Sequence, residues 1–467
     1  MTPGWPSRPD EANRKWPMRH RPDATPPRCD TGEMAGDVVI GLGRLLAGVR
    51  PWRAPLAFRR HGLTLATLTT LAARNNPGAV ALVDDDGPIT YADLDRLTYE
   101  HSDGERIAVR EPNGRAFVAA VVSGLRANAD VVLADPGAPA VEVGARRARR
   151  RGQVVVMTSG STGTPKAVDR KISAAQAVPV ATLVRRLPLR RGVPLVVTQP
   201  FFHGFGVGFL ALGLAFGMPV VVRRHFRPED VAGFLRDHPG ALLTGVPPIL
   251  SKVARTGIEV PLAAVVSGGG QLHPAVAERL TRAFGPRLFN LYGSSELGWS
   301  TLATPIDLRE APGTIGRPAA GVRVAVAGDD GQPVRAGQIG HIHVGGRLAG
   351  RMADSGDLGH RDSAGRLFVD GRADDLIVTG GENVFPIEVE NVLLAHPAVA
   401  EARVGGVPDE EYGARLEAHV VRRRAVEAWE LRRHARAHLG PAKVPRTITF
   451  VTELPVTSTG KRDRRVT

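Results

Sequence analysis

Residues 158–166 read TSGSTGTPK and follow an apolar run at 154–157. Glycines let successive backbone N–H groups turn towards one anion, hydroxyls donate further hydrogen bonds, and a lysine adds charge. The residues with this potential are Thr158, Ser159, Gly160, Ser161, Thr162, Gly163 and Lys166. Their spacing is not the G-x-x-x-x-G-K-[ST] of the mononucleotide-binding loop, because Lys166 is followed by Ala167. The run predicts a triphosphate-holding loop of another kind, although similar clusters also build ordinary surface loops.

The elements that must position this loop alternate between short β-branched runs and helical stretches, from residue 79 to about residue 317. The predicted strands are 106–109, 131–133, 154–157, 195–198, 220–223, 241–244, 263–267 and 287–291. This alternation predicts an α/β fold with parallel sheets covered by helices, in which ligands bind at the carboxyl ends of strands. The loops at those ends read TSGSTGTPK, QPFFHGFG, TGVPP, SGGGQ and YGSSE. A binding site is expected where these loops meet.

The segments before these sheets differ from them in composition and in the spacing of apolar residues. Residues 1–35 combine proline and charge with few large apolar side chains, which is typical of a disordered tail. Residues 38–71 have roughly helical spacing, which favours a helical hairpin on the body over a peripheral membrane contact.

The second half of the chain is predicted to change architecture twice. Beyond Gly313, strands at 322–327, 340–344 and 366–369 indicate a small antiparallel β subdomain. A charged break after Gly371 precedes a predicted helix at 386–396 and a small α+β domain. The expected domains are therefore a large N-terminal one, residues 36–371, and a small C-terminal one, residues 372–467.

Composition narrows the class of protein. The 467 residues are 43% apolar, which is enough for two or three domains with large cores. The sequence lacks both an apolar run of about 18 residues and the apolar core of a secretory signal, so a cytoplasmic protein is expected. Cys29 is the one cysteine and allows no intramolecular disulfide. The net charge of +14 suggests a nucleic-acid partner, but only 5% aromatic residues and no zinc spacing argue against one.

Two long segments resemble the adenylate-forming superfamily of acyl-CoA synthetases, adenylation domains and luciferases. They read NLYGSSELGWSTLATPIDLREAPGTIGRP at 290–318 and GRLFVDGRADDLIVTGGENVFPIEVENVL at 365–393. The nearest resemblance is to bacterial fatty-acyl-CoA synthetases, and it covers about residues 89–461. It implies an ATP- and Mg²⁺-dependent ligase that converts a carboxylic acid, expected to be a medium- or long-chain fatty acid, to acyl-AMP and then to acyl-CoA. Such chemistry depends on positioning and charge stabilisation more than on a protein nucleophile.

The resemblance implies roles on the phosphate side of the site. The loop 158–166 would hold the β- and γ-phosphates. Tyr292, followed by Gly293, would stack on the adenine. Ser295 would bond the α-phosphate, and it stands where threonine is usual. Glu296 would be the ligand of Mg²⁺.

Further roles are implied for the adenine and the ribose. Gly268 and Gly269 would let the backbone approach the adenine, with Asn290 near its amino group. The carboxylate of Asp357 would accept hydrogen bonds from both ribose hydroxyls, and Arg372, fifteen residues later, would reach the same sugar.

The resemblance also implies that the C-terminal domain moves. Lys461 would reach the reacting carboxylate and the α-phosphate during adenylation. Rotation about Asp374 would then exchange Lys461 for the face that admits the thiol, formed by Gly380, Gly381, Glu382 and Asn383. His203 would lie at the acyl pocket, although a buried histidine with a purely structural partner is nearly as good an interpretation.

The chain departs from the family pattern at several positions. It is short between Pro136 and the glycine loop and again at 345–354, and Ala167 replaces a glycine often found after the loop lysine. These contractions could trim the surface or weaken packing. Two other functions therefore remain open: an acyl-AMP ligase that loads a carrier protein, and a non-catalytic paralogue or basic nucleic-acid binder.

Overall fold

Strands and helices alternate along the chain, and the computed structural model describes residues 64–98, 106–137, 152–159, 165–168, 174–294, 298–346 and 352–455, with a few isolated residues before 64. The predicted tail, 1–35, lies outside the described residues. The helices are α1 (Leu65–Asn75), α2 (Tyr91–Arg96), α3 (Arg115–Arg126), α4 (Ala174–Arg186), α5 (Gly204–Phe216), α6 (Pro228–Asp237), α7 (Pro247–Ala254), α8 (Pro274–Phe284), α9 (Pro305–Glu310), α10 (Pro386–Ala395) and α11 (Ala428–His438).

The strands form in the regions where β-branched residues are dense. They are β1 (Val80–Asp84), β2 (Gly87–Thr90), β3 (Ile107–Val109), β4 (Val131–Leu133), β5 (Val154–Ser159), β6 (Pro165–Val168), β7 (Leu195–Val197), β8 (Val220–Val221), β9 (Leu242–Gly245), β10 (Ala264–Gly268), β11 (Leu288–Ser294), β12 (Gly298–Ala303), β13 (Arg317–Pro318), β14 (Val322–Ala327), β15 (Gly340–Gly346), β16 (Ala353–Arg361), β17 (Leu367–Arg372), β18 (Ile377–Thr379), β19 (Glu382–Val384), β20 (Val399–Asp409), β21 (Gly413–Arg422) and β22 (Thr447–Val451).

Two sheets with parallel centres make up the N-terminal part. The larger has nine strands in the order β13-β12-β11-β10-β9-β7-β8-β1-β2 and is parallel from β11 to β1. The smaller has the order β3-β4-β5-β6 and is parallel from β3 to β5. This arrangement confirms the predicted α/β fold.

The second half contains the smaller sheets. Strands β14 to β17 form an antiparallel sheet, as the sequence predicts. The pair β18–β19 follows, and then the three-stranded sheet β20-β21-β22 with its own apolar core under α10 and α11. The C-terminal part is therefore α+β, again as predicted.

Helix α5 lies inside the core between the two parallel sheets. Its sequence, GFGVGFLALGLAF, has no charged residue, which is typical of a helix buried on all sides. Phe209 and Leu210 are fully buried there. The helix ends at Gly217, whose φ of 64° is a left-handed cap that glycine adopts without strain.

Several predicted boundaries are wrong in the same way, because a partner strand continues the pairing. Strand β11 was expected to end at 291 but runs through Tyr292 to Ser294, since β12 pairs with it. Thr158, Ser159 and Lys166 were expected in a loop, but they lie in the hairpin strands β5 and β6, with Thr158 opposite Lys166. The connecting loop itself is 160–164, outside the described residues.

Asp357 belongs to a strand that the sequence did not predict. It lies in β16, directly opposite Arg372 of β17. A buried backbone N–H or C=O group that has no hydrogen-bond partner is costly. A strand therefore continues past its β-branched residues wherever a neighbouring strand offers such partners. Local sequence patterns carry no information on that neighbour.

The predicted helical hairpin at 38–71 is described only in part. Its end is α1, and Arg44 is among the isolated residues described before it. The guanidinium of Arg44 donates to the carbonyl oxygens of Val184, at 2.6 Å, and Leu189, at 3.0 Å, at the C-terminal end of α4. These contacts favour packing of the segment around Arg44 against α4 over a peripheral membrane contact at this position. No helix within the described residues is long and apolar enough to cross a membrane.

An ion pair joins β1 of the large sheet to α3, which connects strands of the small sheet. Asp84 is 3% exposed. It accepts hydrogen bonds from Nη2 of Arg115 to Oδ1, at 2.5 Å, from Nε to Oδ2 and Oδ1, at 2.9 and 3.1 Å, and from the Arg115 backbone N–H. Burial raises the pKa of the Asp84 carboxyl, but these hydrogen bonds outweigh burial and the net pKa lies below its usual value.

We therefore expect Asp84→Asn to lower the free energy of unfolding by about 2–3 kcal/mol at pH 7, because it removes charge-assisted hydrogen bonds from a buried site. Because folding lowers this pKa, the wild-type advantage is complete above about pH 4 and disappears as the pH falls further, through the folded-state pKa. Urea unfolding at a series of pH values, followed by circular dichroism, measures the difference.

Glu278→Gln is the matched control, because the Glu278–Arg282 pair is solvent-exposed on both sides. It should change the stability by less than about 0.5 kcal/mol. Equal losses in the two variants, or a loss for Asp84→Asn that does not diminish as the pH falls below about 4, would contradict the assignment.

Candidate active site

The carboxylate of Asp357 joins side chains from three strands. The hydroxyl of Tyr292, at the carboxyl end of β11, donates to Oδ2 of Asp357 at 2.6 Å. Nη1 of Arg372, at the end of β17, donates to Oδ1 at 3.2 Å. The structure thus brings together three residues that the sequence assigned to one nucleotide, at an edge of the large sheet where parallel strands end.

The local sequence explains how Arg372 reaches Asp357. The two residues are direct partners in the antiparallel register of β16 and β17. Gly356 has a φ of +73°, and a Cβ atom there would lie 2.9 Å from Nη2 of Arg372. Glycine therefore supplies both the backbone conformation and the space for the guanidinium. The Arg372 side chain is 30% exposed and that of Asp357 is 15% exposed, so a ligand can approach from the open side.

Electrostatics keep Tyr292 as a hydrogen-bond donor. Burial, and then the nearby charge of Asp357 together with the hydrogen bond to it, raises the pKa of the Tyr292 phenol far above its usual value. The phenol therefore stays protonated at neutral pH and above. Asp357 therefore has a lasting neutral donor on one oxygen and a cation on the other.

The predicted adenine-side residues lie on neighbouring strands. Gly268 ends β10, and Gly269 follows with a φ of +71°. Asn290 lies on β11 two residues before Tyr292, and the two side chains point to the same face of the sheet. The amide nitrogen of Asn290 donates to the carbonyl oxygen of Thr314 at 3.1 Å, which fixes the rotation of the amide.

Several predicted residues lie outside the described part of the chain. These are Gly160, Ser161, Thr162, Gly163, Ser295, Glu296 and Lys461. Their flanks are described: the β5–β6 hairpin carries the loop 160–164, and the β11–β12 hairpin carries 295–297. Gly293 is in place at the latter, with a Cβ position only 2.0 Å from the carbonyl oxygen of Gly298. Glycine is therefore required at 293 for the hairpin to close.

His203 lies at the N-cap of α5. Its ring packs against that of Phe202, with centroids 4.6 Å apart. Its neighbours are therefore aromatic residues of the core between the parallel sheets. This position agrees with either interpretation of His203, as an acyl-pocket residue or as a structural one.

The predicted thiol-side face is not joined to the Asp357 cluster. Gly380, Gly381, Glu382 and Asn383 are exposed at the tip of the β18–β19 hairpin. The backbone N–H of Gly380 donates to the carbonyl oxygen of Tyr412 at 2.9 Å, which anchors the tip within the C-terminal part. Asp374, in the 3₁₀ turn Ala373–Asp375 between the two parts, has a side chain that is 74% exposed.

Sequence reasoning missed a polar interface that sets the orientation of the C-terminal part. Nδ1 of His273, just before α8, lies 2.6 Å from Oδ1 of Asn391 on α10. Nη1 of Arg255 lies 2.6 Å from Oε1 of Glu401 on β20. Neither pair belongs to a motif, and each joins residues more than a hundred positions apart, so no local signal could have identified them.

Comparison with known families agrees with this fold and site. The AMP-binding enzyme family matches residues 152–352, and the AMP-binding enzyme C-terminal domain matches residues 388–461. The chain belongs to the AMP-binding enzyme family.

Three of the proteins that the chain resembles are named as CoA ligases. The chain is 33% identical to the sulfoacetate–CoA ligase of Cupriavidus necator, over 67% of this chain and 65% of that protein. It is 32% identical to the 2-succinylbenzoate–CoA ligase of Bacillus licheniformis, over 66% and 68%. It is 31% identical to the medium/long-chain-fatty-acid–CoA ligase FadD8 of Mycobacterium tuberculosis, over 66% and 59%. The matched regions thus span about two thirds of these relatives or less.

Solved structures support the fold. The o-succinylbenzoate CoA synthetase of Bacillus subtilis, determined with its acyl-adenylate intermediate, superposes with a TM-score of 0.71 over 85% of this chain and 96% of that one, at 24% identity. Identity at this level supports the shared architecture and carries no argument about the substrate.

The geometry predicts the effect of removing the shared carboxylate charge. Asp357→Asn should weaken AMP binding by at least about tenfold, because hydrogen bonds to a charged acceptor are worth about 1.5–3 kcal/mol each. Isothermal titration calorimetry with AMP measures this directly. Asp329→Asn is the control: its side chain is 99% exposed on a neighbouring turn, and it should bind AMP as the wild type does. Unchanged affinity in Asp357→Asn would remove Asp357 from the nucleotide site.

Proposed function

We propose that this protein is an ATP-dependent acid–CoA ligase. It activates a carboxylic acid as acyl-AMP with release of pyrophosphate, and a thiol then displaces AMP. A free carboxylate is a poor acyl donor because oxide is a very poor leaving group, so an adenylate must form first. The observation that carries this proposal is the Tyr292–Asp357–Arg372 cluster at the carboxyl edge of the large sheet.

In this proposal the cluster holds the nucleoside part of ATP. Asp357 accepts hydrogen bonds from the ribose hydroxyls, and Arg372 keeps that carboxylate oriented and charged. Tyr292 presents its ring to the adenine. Gly268 and Gly269 let the backbone approach, and the amide oxygen of Asn290 can accept from the adenine amino group. Binding in one orientation fixes the α-phosphorus for attack, which is the main contribution that a protein makes to this reaction.

The phosphate side is proposed from the sequence motif. The loop 160–164 would hold the β- and γ-phosphates at the end of the β5–β6 hairpin, with Lys166 adding charge. Ser295 would bond the α-phosphate. Glu296 would be a ligand of Mg²⁺, which neutralises charge as pyrophosphate leaves. Lys461 would stabilise the charge on the α-phosphate and orient the attacking carboxylate.

The proposed thiol step needs the C-terminal domain, residues 372–467, to turn about Asp374. Two observations support this. Asp374 lies in an exposed turn directly after the cluster residue Arg372. The tip of the β18–β19 hairpin, residues 380–383, is exposed in this orientation. After rotation this tip would line the path of the CoA pantetheine. The thiol of a carrier protein would need the same path, and it is the alternative acceptor.

The acid itself is proposed only as a carboxylic acid. The sequence motifs predict a medium- or long-chain fatty acid, and the 31% identity to FadD8 supports that prediction. Similar or higher identity to ligases named for sulfoacetate and succinylbenzoate supports smaller polar or aromatic acids equally well.

The direct test is pyrophosphate release from ATP and Mg²⁺ with a panel of carboxylic acids, followed by mass spectrometry for acyl-CoA after CoA is added. The proposal predicts acid-dependent release and a CoA thioester. Release without a CoA thioester, but with acylation of a carrier protein, would favour the carrier-loading alternative. ATP binding without turnover of any acid would favour a non-catalytic paralogue.

One substitution separates the two half-reactions. Lys461→Ala should slow acyl-AMP formation by about 10²–10³-fold, because one preorganised charge is lost, while synthetic acyl-AMP and CoA are still converted to acyl-CoA. Lys443→Ala is the control in the same domain, since Lys443 pairs with Glu388 at 2.7 Å, and it should leave both half-reactions near wild type. Equal loss of both steps in Lys461→Ala would contradict the rotation.

A further inference from the structure

Three aromatic rings form a continuous wall beside the proposed site. Phe205 and Phe209 lie one turn apart on α5, with ring centroids 5.2 Å apart in an edge-on contact. Phe209 also contacts Trp299 of β12, with centroids 5.7 Å apart. Phe209 is fully buried, and the other two rings are partly buried at the margin of the same core.

Two glycines show how tightly this wall is closed. A Cβ atom on Gly208 would lie 2.7 Å from Cζ2 of Trp299, and a Cβ atom on Gly268 would lie 3.1 Å from Cζ of Phe205. The indole therefore lies directly against the backbone of α5, and the Phe205 ring lies directly against the end of β10. Not even a methyl group fits at Gly208 without moving the indole, and at Gly268 it would be tight.

The wall lies across β11 from the nucleotide cluster. Side chains alternate along a strand, and Phe289 and Leu291 belong to the same core as Phe209, whereas Tyr292 points to the opposite face and meets Asp357. Trp299 stands opposite Gly293 in the β11–β12 register, one residue beyond Tyr292. An acid whose carboxylate meets the α-phosphate has the nucleotide on one side, so its remaining atoms extend towards this wall.

We infer that the acid is compact, with an aromatic ring or a short chain in place of a long alkyl tail. This inference rests on the proposed function and narrows its substrate. A long alkyl chain would have to pass between Phe205, Phe209 and Trp299, where the rings contact one another and the glycine backbone, and overpacking a close-packed core is unfavourable. A single aromatic ring can instead end against the edges or faces of Phe205 and Trp299, which is a favourable arrangement.

The test compares compact acids (benzoate, 2-aminobenzoate and butanoate) with octanoate, dodecanoate and hexadecanoate in the pyrophosphate-release assay. For the wild type, kcat/KM for the best compact acid should exceed that for each long acid by at least about tenfold, the range over which pocket size discriminates. Trp299→Ala should raise kcat/KM for dodecanoate at least about tenfold and lower it for the best compact acid, because it opens the wall next to Gly208.

Two further variants keep the test decisive. Phe205→Leu opens the wall with a smaller loss of volume, and it should shift the preference in the same direction if Trp299→Ala does not fold. Trp429→Ala is the matched control, because Trp429 is 59% exposed on α11 and stacks only with Arg433 among the contacts described for its ring. It should leave the preference unchanged.

The outcomes separate this inference from the function on which it rests. Wild-type kcat/KM for a long acid within about tenfold of the best compact acid overturns the inference and leaves the ligase intact. Folded Phe205→Leu and Trp299→Ala enzymes that keep the wild-type preference also overturn it. Failure of every acid to release pyrophosphate overturns the proposed function and the inference with it.

Discussion

The carboxylate of Asp357 is the interaction on which the site depends. It receives a neutral donor from the large sheet, Tyr292, and a cation from the neighbouring antiparallel strand, Arg372. The next residues, Ala373–Asp375, form the turn that leads into the C-terminal part. One charge therefore connects the large sheet, the antiparallel sheet and the point about which the C-terminal domain would turn.

The two faces of β11 divide the site into different environments. On the face of Tyr292 the ring packs at the edge of the apolar core of the antiparallel sheet, and its hydroxyl meets the polar, partly exposed pair Asp357 and Arg372. On the opposite face the neighbours are the rings of Phe205, Phe209 and Trp299, packed against glycine backbone. Polar and apolar parts of an adenylate would then lie on opposite sides of one strand. The contacts of His273 with Asn391 and of Arg255 with Glu401 join the C-terminal part to the large domain, and the β18–β19 tip is exposed in this orientation.

Much of the fold was predictable because local pattern and final structure agree where a strand is short and buried on both sides. The strand 131–133 was predicted with the bounds that the structure has. Asp357 and Arg372 were expected, from the family resemblance, to reach the same sugar, and they are direct partners in the register of β16 and β17. The strand positions of Tyr292 and Asp357 were missed, because each is paired by a strand that local sequence does not specify. The contacts among Phe205, Phe209 and Trp299 could not be predicted from local sequence, because only the tertiary fold brings residues 205 and 299 close together.

The measurement that tests the central claim most directly is a crystal structure of the protein with AMP bound. The account predicts that the ribose 2′- and 3′-hydroxyls lie within hydrogen-bond distance of the Asp357 carboxylate, with the adenine against the ring of Tyr292 and Arg372 facing the sugar. A nucleotide bound elsewhere, with the Asp357 carboxylate contacting only Tyr292 and Arg372, would contradict it.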